Sequence, residues 1–240
     1  MQGDSSTGRV CALVKFRIGG SLRFLSHAET IRVFQRACVR AGVQIAYSQG
    51  FNPHQRMSLV PPRSVGVESD DDLLCLWLKE GQTDPVRKNR NTEISNKSQI
   101  SNGAGIDAEA LKSVLPAGIE IISAEASEAK NIPEPISARY VMKVQGQKID
   151  DGIRKHISEI LAGEKVIVNR RTGEDGWTKP VDVRPFLETI KAQAQEFTVD
   201  CKISPAGTIR VDEILGLLQL KTADLTGPVR RTNVKYTDRH

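Results

Sequence analysis

Cys11-Ala12-Leu13-Val14-Lys15-Phe16-Arg17-Ile18-Gly19-Gly20, followed by Ser26-His27-Ala28-Glu29, is the stretch on which the reading of the fold turns. Cys11 to Ile18 alternates as a strand does, and the glycine pair ends it. Ser26 is a natural N-cap with a glutamate three residues on, the pattern of a capping box, and Gly42 supplies a stop. Between them His27, Ile31, Phe34, Cys38 and Ala41 recur at three- and four-residue spacing and predict the buried face of a helix. Arg32, Arg36 and Arg40 fall on another face at i, i+4 and i+8. Like charges so spaced repel by about 0.2–0.5 kcal/mol per pair, and only Glu29 is near enough to offset one of them.

Outward from this strand and helix, Val43 to Tyr47 reads as a second strand and Leu73 to Leu78, a continuous apolar run, as a third. Residues 80–106 are rich in Asn, Gln, Ser, Thr, Lys and Arg, have little to bury, and read as a disordered insertion. Asp107 to Leu115 predicts a short helix stopped near Pro116, and Ile119 to Ala124 a strand. Strand, helix, strand, strand, helix, strand is the βαββαβ, ferredoxin-like order. After a hinge at Asn131 to Pro135 the pattern loosely repeats. Strands are expected at Ala138–Val144, Lys165–Arg170, Val181–Thr189, Glu196–Ile203 and Val229–Tyr236, with helices at Asp150–Leu161 and Arg210–Leu218. The expectation is an α+β protein of two tandem ferredoxin-like domains, 9–127 and 136–237.

A chain of 240 residues, 39% hydrophobic and 26% charged, has the composition of an ordinary globular protein of one or two domains. No run approaches the ~18 apolar residues of a membrane helix, and Met1 to Gly8 lacks the basic start and apolar stretch of a signal peptide. Cytoplasmic residence without membrane contact is the expectation. Cys11, Cys38, Cys75 and Cys201 form no Cys-x-x-Cys pair and read as buried small hydrophobes. The three-cysteine cluster of a radical-SAM iron–sulfur centre is absent, so this chain is not itself such an enzyme. His27, His54, His156 and His240 are scattered, no phosphate-binding glycine loop or nucleophile elbow is present, and no cofactor or metal is expected. Asp70 to Asp72 reads as the guard of a strand edge. Net charge is +5, but nine Lys or Arg stand against Glu29 alone between Arg9 and Val65, a segregated positive segment that attracts polyanions.

Within that segment lies Tyr47-Ser48-Gln49-Gly50-Phe51-Asn52-Pro53-His54-Gln55-Arg56-Met57-Ser58. Gly50 and Asn52-Pro53 impose turns that splay Phe51, His54 and Arg56 outward. With Leu22-Arg23-Phe24-Leu25-Ser26-His27 upstream and Val65-Gly66-Val67-Glu68 downstream, the loop resembles the signature of the radical-SAM-linked protein family. That family is an uncharacterised bacterial domain found beside, or fused to, cobalamin-binding radical-SAM proteins. The likeness is dense from Lys15 to Glu68 and returns at Asp182–Phe186, Ile209–Glu213 and Arg230–Thr232. Gln49 stands where the family usually has an acid and Gln55 where it usually has a proline. The resemblance implies a radical-SAM protein as partner and supplies no reaction.

Arg23, Arg32, Arg36, Arg40, Tyr47, Phe51, Asn52, His54, Arg56 and Arg63 are the expected RNA-contacting set: cations for phosphate, rings for stacking bases. The bland alternatives are a solvated arginine stripe and a Phe51 that plugs the groove between helix and sheet. His27 reads as a partly buried histidine satisfied by a carbonyl, or as an acid–base or phosphate-contacting group beside Arg23. His54, in a polar loop, is either functional or simply exposed. The leading expectation is a non-catalytic RNA-binding module serving a radical-SAM partner, with tRNA or rRNA as the nucleic acid. A metal-independent RNA-processing or RNA-modifying enzyme using His54 and His27 is the second, and a scaffold docking on the radical-SAM protein the third.

Overall fold

The computed structural model describes residues 11–79, 106–127, 132–146, 148–172 and 176–237. It is a mixed α+β protein that divides into two compact units: residues 1–63, 71–133 and 238–240, and residues 64–70 with 134–237. Strand β3 (Glu68–Trp77) is split between them at Asp70. The expected insertion lies outside the described residues except for Ile106, which is buried in the first core.

In the first unit, β1 (Cys11–Ile18), α1 (His27–Arg40), β2 (Met57–Val60), β3, α2 (Ala108–Val114) and β4 (Ile119–Ser127) follow in order, and the strands lie side by side as β4-β1-β3-β2. β1 pairs antiparallel with β4, and β2 with β3. Six of the eight β1 side chains are buried; Lys15 and Arg17 are the two that are not. Phe16 meets Phe34 of α1 edge-on, with ring centroids 4.7 Å apart, an arrangement that adds about 0.5–1.5 kcal/mol beyond area burial. On α1 the buried positions are Thr30, Phe34, Ala37 and Cys38, while His27, Ile31 and Ala41 are half-buried. Thr30 enters that face because its hydroxyl donates back to the Ser26 carbonyl at 2.9 Å.

The expected strand at Val43 to Tyr47 is not one. Only isolated bridges occur there, Ile45 to Leu78 and Tyr47 to Gln55, and the true second strand comes after the loop. The reason is where the hydrogen bonds go: Ala46 N–H reaches the Trp77 carbonyl at 2.7 Å, while the Ala46 carbonyl turns to the Arg56 N–H at 2.8 Å. The segment is shared between β3 and its own loop. The acidic run is no edge guard either: in the first unit Asp71 pairs with Lys15 at 3.3 Å and Asp72 is fully buried beside Arg63.

In the second unit β5 (Pro135–Lys143), α3 (Asp151–Ala162), the hairpin β6 (Ile167–Thr172) and β7 (Trp177–Asp182), β8 (Leu187–Gln193), β9 (Glu196–Lys202), α4 (Val211–Leu217) and β10 (Arg230–Tyr236) follow. The sheet order is β10-β5-β9-β8, antiparallel throughout. Two residues of β10, Arg230 and Arg231, run parallel to Glu68 and Ser69, and Arg230 Nη2 meets Asp70 at 2.6 Å. The single strand expected at Val181 to Thr189 is two strands, because Pro185 lacks a ladder donor and Arg184–Phe186 forms a 3-10 turn. Asp182 fixes that break, accepting from Val166 N–H at 2.9 Å and Arg184 N–H at 3.1 Å. Pro135, expected in a hinge, opens β5.

Candidate functional site

The N-terminus of α1 is held as its sequence predicts. Ser26 N–H donates to Glu29 Oε2 at 2.8 Å and Glu29 N–H to Ser26 Oγ at 3.3 Å. The Ser26 hydroxyl also donates to Glu29, and with the backbone N–H it holds that carboxyl below the usual glutamate range; nearby Arg32 adds to the effect. The capping box fixes the start of the helix, and the 3.6-residue period then fixes which side chains face outward at its far end. Arg36, Val39 and Arg40 do so together, at i, i+3 and i+4, and Val39 is 67% exposed.

The loop after α1 closes on itself. Ser48 N–H donates to the His54 carbonyl at 2.8 Å, and His54 N–H to Ser48 Oγ at 3.0 Å. These bonds pinch residues 48–54 into a projection whose bend uses Gly50 at φ 125°, a backbone region nearly closed to other residues. Phe51 stands at its tip with its whole side chain in solvent. Tyr47, at the base, is 49% exposed, with Lys79 Nζ 5.9 Å from its ring centroid.

Between α1 and this loop lies a cavity of about 450 Å³, lined by Gln35, Arg36, Val39 and Arg40 from the helix and by Tyr47, Pro53, His54 and Gln55 from the loop. The structure therefore brings together four of the residues singled out from sequence: Arg36, Arg40, Tyr47 and His54. Neither guanidinium ion-pairs or hydrogen-bonds with another described side chain or backbone group. Pro53 and Gln55 were read as positions of the loop but not as lining, and Gln35 and Val39 escaped the sequence reading, although Val39 was legible as the apolar residue on the arginine stripe, three after Arg36.

Other predicted residues lie elsewhere. Arg63 is not a surface cation: its guanidinium is buried, donates to the carbonyls of Arg23 at 2.7 Å and Leu25 at 3.2 Å, and sits 3.8 Å from Asp72. It pins the segment leading into α1. Arg23 donates to the Gly20 carbonyl at 2.7 Å and stacks on Phe24 at 4.4 Å. Arg56 packs over Trp77 at 5.2 Å. Arg32 and Asn52 are exposed and outside the cavity lining. His27 is half-buried at the first turn of α1, its Nδ1 buried without a hydrogen bond among the described residues; Arg40 is thirteen residues on, about 20 Å along the helix. Phe51 does not plug a groove. The four cysteines are buried, and burial pushes the Cys38 and Cys201 thiols up to about 12. Among the described residues no three His, Cys, Asp or Glu gather as metal ligands, and no helix is long and apolar enough to cross a membrane.

Comparison with known proteins adds the following. The model of a family described as an uncharacterised protein conserved in bacteria (DUF2344) matches residues 12–109 and 106–212. No curated protein matches. Among solved structures, a chain of a Cbf5-Nop10-Gar1 complex is similar at 12% identity and TM-score 0.41, over 93% of this chain and 48% of that one. The chain thus spans about half the length of that relative. A protein of unknown function from Galdieria sulphuraria is similar at 10% identity and TM-score 0.25, over 96% and 99% of the two chains. Likeness at these scores carries no argument about function.

Proposed function

This chain belongs to the uncharacterised bacterial family DUF2344, and from the face that α1 and its following loop present we propose that it is a non-catalytic RNA-binding module. One observation carries the reading: Arg36 and Arg40, without partners among the described residues, share a cavity with His54 and a half-exposed Tyr47, while Phe51 projects beyond them. Guanidinium groups left unpaired in a cleft attract phosphate and release its counterions on contact. Exposed rings grip bases by stacking, worth about 1–3 kcal/mol per base and tolerant of sequence. Single-stranded or looped RNA offers both.

We read each unit as a ferredoxin-like split βαβ; the strand orders β4-β1-β3-β2 and β10-β5-β9-β8 support that reading. The likeness of residues 15–68 to radical-SAM-linked proteins points further, to a radical-SAM partner in which the chemistry resides while this chain presents tRNA or rRNA. That partnership rests on sequence resemblance. Co-purification that survives nuclease treatment would support direct contact, and loss on nuclease treatment would favour a link through RNA.

The enzymatic alternative has less behind it. His54 lines the cavity, but His27 sits at the opposite end of α1, so the two do not form an acid–base pair around one reacting atom. The test of the main reading is gel retardation of unstructured RNA between ~50 and 200 mM salt, where counterion release requires steep weakening. Binding indifferent to salt, or RNA cleavage in chelator that disappears in His54→Ala, would overturn it.

A further inference from the structure

We infer that the cavity between α1 and the loop is a one-nucleotide subsite: Arg36 and Arg40 hold the phosphate of a single nucleotide whose base lies against Tyr47 and Val39. This rests on the RNA-binding reading and deepens it. Three observations lead here. The first is size: about 450 Å³ falls within the ~300–1,000 Å³ typical of small-molecule sites, so a bare phosphate would leave most of it to water, whereas phosphate, sugar and base together would occupy it.

The second is the mixed chemistry of the lining, which sets cationic, apolar and amide side chains around one cavity. Arg36 and Arg40, one helical turn apart, present two adjacent guanidinium forks suited to the oxygens of one phosphate. Val39 lies between them in sequence and is 67% exposed, and Tyr47, from the loop, is 49% exposed; an apolar side chain and a ring left in water around one cavity are suited to the face of a base. Gln35 and Gln55 add amides that both donate and accept, the groups that read a base edge.

The third is the boundary. The Ser48–His54 bonds pinch the loop into a wall, and Phe51 stands beyond it in solvent, outside the lining. A strand entering the cavity therefore leaves one base inside and meets a second ring only after the wall. The site takes nucleoside 5′-monophosphates, free or as one residue of an RNA strand, and uses the base as well as the phosphate.

The test is titration of the full chain with AMP and UMP, ribose 5-phosphate and inorganic phosphate, followed by calorimetry or amide NMR shifts. Mononucleotides are expected to bind at least tenfold more tightly than ribose 5-phosphate. Tyr47→Ala should bring mononucleotides down to the level of ribose 5-phosphate, while Tyr47→Phe keeps the difference. Arg36→Ala with Arg40→Ala should abolish both, and Lys155→Ala, an exposed lysine of α3, should change neither. Equal binding of AMP, ribose 5-phosphate and phosphate would overturn the subsite. So would absence of mononucleotide binding in a protein that still retards RNA through Arg36 and Arg40; that result would leave the RNA reading standing, whereas loss of RNA binding as well would remove both.

Discussion

At the scale of single residues, the first unit separates cations that are spent on the fold from cations that have no partner among the described residues. Arg36 and Arg40 belong to the second class. The double variant Arg36→Ala, Arg40→Ala should reduce the slope of log affinity against log salt by about 0.7, the value for one phosphate of a single strand, with the melting temperature nearly unchanged; filter binding at several salt concentrations measures it. Arg63 behaves oppositely. Its side chain is 3% exposed against a fully buried Asp72, so Arg63→Ala strands a carboxylate and two carbonyls and should cost about 3–5 kcal/mol in urea unfolding. From sequence the two kinds of arginine look alike. What separates them is a contact across some forty residues, from Arg63 to the Arg23 and Leu25 carbonyls, and local spacing cannot report that.

At the scale of elements, ends that depend on neighbouring residues were legible. The capping box of α1 is formed as Ser26 and Glu29 predict, and Ser26→Ala should lower stability by about 1 kcal/mol, read from thermal or urea unfolding with Glu29 left in place. Asp107 and Asp150 likewise cap α2 and α3. Strands with a strong apolar pattern, such as Cys11–Ile18, were legible as well, but a segment whose hydrogen bonds are divided between partners was not. Val43 to Tyr47 has the composition of a strand, yet its hydrogen bonds go partly to β3 and partly to its own loop, and the ladder forms instead at Met57–Val60. The β6–α4 clasp is of the same kind: Arg170 grips Glu213 through two bonds, at 2.6 and 2.7 Å, and donates a third to the Thr208 carbonyl. Arg170→Ala should cost about 3 kcal/mol, because Glu213 would be left buried and unpaired; a urea titration of the variant beside Arg170→Lys measures it.

At the scale of the whole molecule, carboxylates held below their ordinary range set the acid limit. The Arg139 hydrogen bond lowers Asp200 against some desolvation. Burial alone would raise Glu213, but the bonds from Arg170 and the Arg210 backbone outweigh it. A carboxyl whose pKa is depressed by folding contributes stability above its unfolded value, about 4, and loses that contribution as pH falls through the folded value. The urea midpoint should therefore fall between pH 5 and pH 3, and Arg139→Ala should blunt the fall. The positive segment read from residues 9–65 is thinner than its count, since Lys15, Arg17 and Arg63 are paired with Asp71, Glu120 and Asp72. The deep burial of all four thiols has a practical consequence for a chain with no other cysteine. Phe51→Cys would place one fast-reacting sulfhydryl at the apex of the loop, so a maleimide dye should attach there alone at neutral pH, and its fluorescence would then report when a guest arrives.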